Sequence, residues 1–280
     1  MLVHDLVFQG KSSDVAFRTA SQITYECFQQ QYRNYRNYFH QQGIGPGQNI
    51  GLFSRNSAEY VYCYMALSSL GAVVVPLNFQ LTGREIAYIV KDSEMTHLIS
   101  METLDLDVAV KQLIIADFAA AISERNFEQA PEYTDINENT PCVIIYTSGT
   151  TGNPKGAILT HGNLVSNVAA FRAALPPTSS ADNILCVLPM YHCFAWTCAV
   201  LYPLSVGASI TILEAFAPKE TFAAIKEKQV TVVFGVPPMY NYLSRIGEAE
   251  DLRSVRVFVS GGAALPQKVA AAFQQKYGTP

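Results

Sequence analysis

Apolar positions along this chain follow two rhythms. Short apolar runs rich in Val, Ile and Leu alternate with longer segments where apolar side chains recur every three or four residues. The short runs predict strands and the longer segments predict helices. In the first half, strands are expected at 15–19 and 22–25, paired as a hairpin around Ala20-Ser21. A helix follows over 26–42, closed by the Gly43-Ile-Gly-Pro-Gly47 breaker. Then come strand 49–54, helix 57–70, strand 72–77, helix 82–92 and strand 96–100. Residues 101–140 carry a weaker pattern: a strand at 113–116, a helix at 118–124, and a polar surface connection over 128–140 containing Pro131.

The same alternation resumes at Cys142. Strand 142–147 leads through a glycine-rich loop to strand 157–160 and helix 162–174. Strand 184–188, a short helix over 194–204 and strand 208–213 follow. The series closes with helix 219–228, strand 230–234, helix 238–246, strand 255–259 and helix 267–277. Strands joined through helical crossovers predict an α/β fold of layered, mostly parallel sheets covered by helices. The division expected is a first α/β subdomain over 1–140, a partial assembly open to later chain segments, and a second, incomplete one over 141–280.

Composition narrows the class. Apolar residues make up 49% of the 280 and charged residues only 15%, against a usual charged share of about 25%. That is ample material for a core and excludes a charge-solvated, disordered chain. With 19 Lys+Arg against 23 Asp+Glu, the net charge of −4 leaves no electrostatic footprint for nucleic acid. Residues 183–213 contain no Asp, Glu, Lys or Arg, a length sufficient to cross a bilayer. Pro189, His192, Pro203 and Gly207 interrupt them, so a buried strand–helix–strand is expected and no transmembrane segment. The six cysteines form no C-x-x-C pair and no Cys/His spacing that fits zinc. Reduced thiols, no protein-bound metal site and a cytoplasmic location are the expectation. The first eight residues lack the basic start and sustained apolar core of a signal peptide.

The strongest local signal is Tyr146-Thr-Ser-Gly-Thr-Thr-Gly-Asn-Pro-Lys-Gly156. Glycines let backbone approach a ligand closely, and successive N–H groups in such a turn form an anion nest. Thr147, Ser148, Thr150 and Thr151 add hydroxyl donors without negative charge. No charged residue occurs from Asn139 to Pro154, so Lys155 is the first cation after that span. The string is not a Walker A loop, since Pro154 and Gly156 stand where that motif needs Gly and Ser or Thr. It is not a hydrolase elbow, because Ser148 lacks the glycine two residues before it. On composition alone it also reads as an ordinary Gly/Ser/Thr-rich hairpin turn.

As an ordered string, it resembles the signature phosphate loop of the adenylate-forming superfamily: acyl-CoA synthetases, luciferases and peptide-synthetase adenylation domains. The resemblance extends over nearly the whole chain. Ile23-Thr-Tyr25 resembles an early motif of that family. The span from Asn56-Ser57 through Leu67-Ser-Ser-Leu-Gly71-Ala to Val75-Pro-Leu-Asn78 resembles the next. Leu188-Pro-Met-Tyr-His192 and Ser260-Gly-Gly-Ala-Ala-Leu-Pro266 resemble two more, in the family's order. The implied fold is the N-terminal part of an adenylate-forming enzyme's large domain.

The implied chemistry joins a carboxylate to ATP, releasing pyrophosphate, and passes the acyl group to a thiol, usually coenzyme A. The resemblance puts Thr147, Ser148, Gly149, Thr150, Thr151, Gly152 and Lys155 around the nucleotide phosphates, with Thr147 near the α-phosphate. Gly261, Gly262, Ala263 and Ala264 would approach the adenine, where small side chains suit a flat ring. His192 would lie near the reacting carboxylate; taken alone, it also reads as a satisfied core histidine. Phe194 and Trp196, with Val236 and Pro237 of Gly235-Val-Pro-Pro238, would line the acid pocket. Read without the family, these are core aromatics and a Pro-started helix. The uncharged segment favours a medium- or long-chain fatty acid, with an aryl acid as the alternative.

The family's sequel, a Y-G-x-T-E motif carrying the Mg²⁺ carboxylate, a ribose-binding Asp, a hinge and a C-terminal lysine, does not occur in these 280 residues. The expectation is an N-terminal fragment of an acyl-CoA synthetase, inactive alone. Two rivals stand beside it. One is a non-catalytic remnant that binds ATP or an acyl chain. The other is a hydrolase using Ser148 or Ser260 with His192.

Overall fold

The computed structural model describes residues 1–147 and 153–278. Val3–Phe8 form a 3₁₀ turn that the apolar pattern left unread, with Val3, Leu6 and Val7 fully buried. The strands and helices then follow in chain order: β1 (Val15–Arg18), β2 (Gln22–Thr24), α1 (Tyr25–Gln41), β3 (Asn49–Phe53), α2 (Ala58–Ser69), β4 (Val73–Pro76) and α3 (Gly83–Asp92). Next are β5 (His97–Ser100), β6 (Lys111–Ile114), α4 (Ile115–Glu124), β7 (Pro141–Thr147), β8 (Lys155–Thr160), α5 (His161–Ala174) and β9 (Asn183–Cys186). The short helix α6 (Cys193–Ala195) continues through a π-helical stretch, Trp196–Leu201, into α7 (Tyr202–Ser205). The last elements are β10 (Ser209–Ile212), α8 (Pro218–Lys228), β11 (Val232–Gly235), α9 (Pro237–Ile246), β12 (Val257–Ser260) and α10 (Gln267–Tyr277).

Two six-stranded sheets result, one in each of two compact units. The first unit comprises Met1–Val7 and Cys27–Asn167. Its strand order is β6-β5-β3-β4-β7-β8, parallel except for the antiparallel edge strand β8. All four residues of β5 are buried, as parallel strands covered on both faces require. Helix α2 is buried nearly all round, and its serines are satisfied internally: Ser68 Oγ donates to Tyr64 O at 2.8 Å and Ser69 Oγ to Ala66 O at 2.7 Å. Helix α3 is amphipathic and opens on a capping box between Thr82 and Glu85. Tyr35, Phe39, Tyr62 and Phe118 meet edge to face. Beside them the buried Arg36 donates to the carbonyls of Ala130 and Pro131, pinning the polar connection to α1.

The second unit comprises Phe8–Glu26 and Val168–Pro280, with its described residues ending at 278. Its order is β12-β11-β9-β10-β1-β2, parallel except for the edge strand β2. The core gathers Leu185, Val233, Met239, Tyr240, Leu243 and Phe273. Tyr25 OH donates to Ala208 O at 2.8 Å, tying the end of the hairpin to β10. At the amino ends of the strands, Asp182 accepts two bonds from Arg256 (2.9 and 2.8 Å), one from Thr231 Oγ1 (2.8 Å) and one from Ser179 N (2.9 Å).

Three expectations change. The boundary at 140/141 is replaced, because β1 and β2 join the second unit's sheet while β7 and β8 join the first. Strand pairing is non-local, so sequence order does not fix sheet membership. The short helix at 194–204 is interrupted by π-helical geometry. The strand expected at 113–116 runs Lys111–Ile114, because Ile115 already begins α4. All six cysteines are free thiols, with Cys27 and Cys193 exposed. Among the described residues no helix is long and apolar enough to cross a membrane.

Candidate functional site

One candidate region, within the first unit, is the hairpin of β7 and β8. Tyr146 pairs with Gly156 and Thr147 with Lys155, so Thr147 and Lys155 face each other where the loop leaves the sheet. Both are exposed, and Lys155 makes no ion pair among the described residues. Ser148, Gly149, Thr150, Thr151 and Gly152, expected to bind phosphate, lie outside the described residues. The loop's two arms are anchored. Tyr146 OH donates to Asp92 Oδ2 at 2.6 Å, at the end of α3. Tyr88 OH, from the same helix, donates to Pro154 O at 3.3 Å. Burial, helped by the Asp92 carboxylate, pushes the Tyr146 phenol well above its ordinary pKa, so it remains a donor. Gly156 has to be glycine: a Cβ there would sit 2.7 Å from Ile144 Cγ2 and 3.1 Å from the Tyr146 ring. Tyr88 and Asp92 were not legible as loop supports, because they lie on a helix more than fifty residues earlier.

A separate candidate region, within the second unit, occupies the carboxyl ends of three neighbouring parallel strands, β9, β11 and β12, where open α/β sheets place ligands. Gly261 N donates to Gly235 O at 3.0 Å, carrying the β11–β12 ladder one step past the strands. The Phe194 ring lies directly on Gly261: a Cβ there would fall 2.2 Å from Phe194 Cζ. Gly262 holds φ at +75°, the left-handed region that favours glycine, and its missing Cβ would touch Val236 Cγ1 at 3.4 Å. Phe194, Val236, Gly261 and Gly262 are therefore one cluster. Tyr240 braces it from behind, donating to Val259 O at 2.7 Å and Val233 O at 3.2 Å.

His192 caps the start of α6. Its Nδ1 accepts from Phe194 N at 3.3 Å, and its ring is exposed, so the core-histidine reading fails. Cys193 Sγ stands 4.0 Å from the same nitrogen. That thiol raises the imidazole's pKa against burial, and the imidazole in turn lowers the thiol's. Trp196 is only 4% exposed and Pro237 is buried, whereas Ala263 and Ala264 are exposed. Thr147 and Lys155 belong to the first unit; His192, Phe194, Val236, Gly261 and Gly262 belong to the second. Among the described residues no group of three His, Cys, Asp or Glu side chains could hold a metal ion.

Known proteins are similar over almost the whole chain. The family described as AMP-binding enzyme matches residues 7–280. A feruloyl-CoA synthase of Amycolatopsis is 30% identical over 266 residues, covering 91% of this chain and 54% of the relative. The 4-coumarate–CoA ligase 1 of Arabidopsis thaliana is 31% identical over 308 residues, covering 98% and 54%. The chain thus spans about half the length of the curated relatives it matches. Among solved structures, the N-terminal domain of FACL13 from Mycobacterium tuberculosis superposes with a TM-score of 0.87 at 23% identity, covering 98% of this chain and 73% of that one. ATP-bound MatB from Rhodopseudomonas palustris gives 0.87 at 24% identity, covering 99% and 58%. At these identities, the structures show the fold alone.

Proposed function

The chain belongs to the AMP-binding enzyme family, and on that premise we propose that it carries the nucleotide- and acid-binding part of an acid–CoA ligase. The reaction activates a carboxylate with ATP as an acyl-adenylate and transfers the acyl group to coenzyme A. The observation that carries this reading is the closed hairpin, with Thr147 and Lys155 in register on either side of the Ser148–Gly152 string. Attack of a carboxylate on the α-phosphorus builds charge on the phosphates, and donors fixed beforehand stabilise it. Lys155 meets the outer phosphates and Thr147 the α-phosphate. Ser148, Gly149, Thr150, Thr151 and Gly152 supply N–H and hydroxyl donors between them. Magnesium would neutralise part of the same charge in the family's chemistry. The described residues provide no cluster for it, and no step is assigned to it.

The acid lies against His192, Phe194, Val236, Pro237, Gly261 and Gly262, with Trp196 backing the pocket from the core and Ala263 and Ala264 extending the wall toward the adenine. The substrate is an apolar acid. The relatives' names favour an aryl acid of the hydroxycinnamate kind. The uncharged 183–213 segment favours a fatty acid. Pyrophosphate release by the protein carrying these residues, measured over a panel of cinnamates, benzoates and C6–C16 fatty acids, separates the two. Preference for cinnamates supports the first, preference for long alkyl chains the second, and no acid-dependent release rejects the ligase reading.

A further inference from the structure

His161 follows β8 directly and starts α5, and no ligand-binding role accounts for it. It is fully buried. Its Nδ1 accepts the backbone N–H of Val3 at 3.2 Å, and its backbone N–H donates to Thr140 O at 3.1 Å. The imidazole of His4 meets it edge to face, with centroids 5.6 Å apart and planes at 89°. Nε2 of His161 and Nδ1 of His4 are both buried without a hydrogen-bond partner. Around the pair stand Asp5, 4.0 Å from His4, and Arg36 of α1, 3.7 Å from Glu132 of the polar connection. Tyr32 of α1 faces the same charges.

An Nδ1 that accepts a hydrogen bond leaves the single proton of a neutral ring on Nε2. Protonation would turn Nδ1 into a donor pointed at the Val3 N–H, and would place a cation in a dry site beside a second histidine. We propose that the His161–His4 pair is an acid-operated latch: neutral, it holds Met1–Val7 on the first unit, and protonated, it releases that segment. Burial first, and the neighbouring His4 second, bring the His161 pKa down to about 4, while Asp5 opposes them. Burial likewise lowers that of His4, against Asp5. The release therefore takes place below neutrality. Because His161 ends the outgoing arm of the β7–β8 hairpin, opening the latch also frees the packing at the end of β8.

Hydrogen exchange by mass spectrometry on the 280-residue chain tests this, read as protection factors so that the intrinsic pH dependence of exchange divides out. A ring held near pH 4 when latched and titrating near 6.5 when free implies that protection of the Met1–Val7 amides falls about twenty-fold from pH 7 to pH 5. Amides of α3 (Gly83–Asp92) should keep theirs, which separates release from global unfolding. His161→Asn keeps an acceptor for Val3 but does not titrate, and should remove the His161 share of the pH dependence, leaving only the smaller loss that His4 contributes. The proposal is overturned if the wild-type segment stays protected at pH 5, or if the Asn variant loses protection as the wild type does. If that variant does not fold, NMR titration of the wild-type rings decides. His161 must titrate well below 6.5 together with loss of Val3 protection; titration near 6.5 with Val3 still protected overturns the latch.

Discussion

Two residue-scale predictions follow from the geometry of the site. Lys155→Ala should weaken ATP binding about ten- to a hundred-fold, the range for losing a charge-assisted contact worth roughly 1.5–3 kcal/mol. Binding of the acid should change little, and calorimetric titration of each ligand checks the contrast. An unchanged ATP affinity would remove Lys155 from the phosphate site. Gly261→Ala drives a methyl into the Phe194 ring, where only 2.2 Å is free. It should cost about 1–3 kcal/mol of stability as overpacking. Combining it with Phe194→Ala should recover part of that, because the two share one contact. A double-mutant cycle by denaturant unfolding measures the coupling, and strict additivity would show that the ring simply moves aside. At this scale the sequence was informative about chemistry and nearly silent about support. The string from Tyr146 to Gly156 named the groups proposed to face phosphate. That Tyr146 rests on Asp92, or that Phe194 covers Gly261, needed distant residues brought together.

At the scale of elements, local signals located nearly every strand and helix, and the errors have physical causes. Thr82 and Glu85 announce α3 through a capping box that is present in full. Thr82→Ala should therefore cost about 1 kcal/mol, measured as a shift in the urea midpoint at constant slope. The π-helical stretch Trp196–Leu201 went unread because every residue in it is buried. A segment buried all round lacks the polar stripe that fixes helical phase. Asp182 and Arg256 tie the segment before β9 to the start of β12. Arg256→Ala should cost about 2 kcal/mol, less than a fully buried pair because the guanidinium is 40% exposed. A loss below about 0.5 kcal/mol in thermal unfolding would show that solvent already screens the contact.

For the whole molecule, the buried His161–His4 pair and Asp182 predict acid sensitivity in separate windows. His161 has its pKa lowered to about 4 by burial, so its stabilising contribution is complete above the unfolded value of about 6.5. That contribution fades as pH falls toward 4 and amounts to about 3 kcal/mol. Asp182 works in a lower window. Burial raises its carboxyl, but Arg256, Ser179 and Thr231 together hold it below the ordinary range. Its contribution is present above the unfolded carboxylate value and is lost as pH falls through the folded one. Unfolding free energy against pH should therefore decline in two legs, and His161→Asn should shrink only the upper leg, His4 keeping the remainder. A single decline below pH 4 in the wild type would contradict it. The sequence alone determined the α/β class, the order of the elements, the Tyr146–Gly156 string and the family, because periodicity, caps and ordered motifs are local properties of a chain. Which strands share a sheet was decided only by the tertiary structure. It sent β1 and β2 to the second unit and β7 and β8 to the first, because pairing edges are chosen by burial across long sequence separations. The same non-local burial made His161 a neutral, buried acceptor rather than an ordinary surface histidine at the start of a helix.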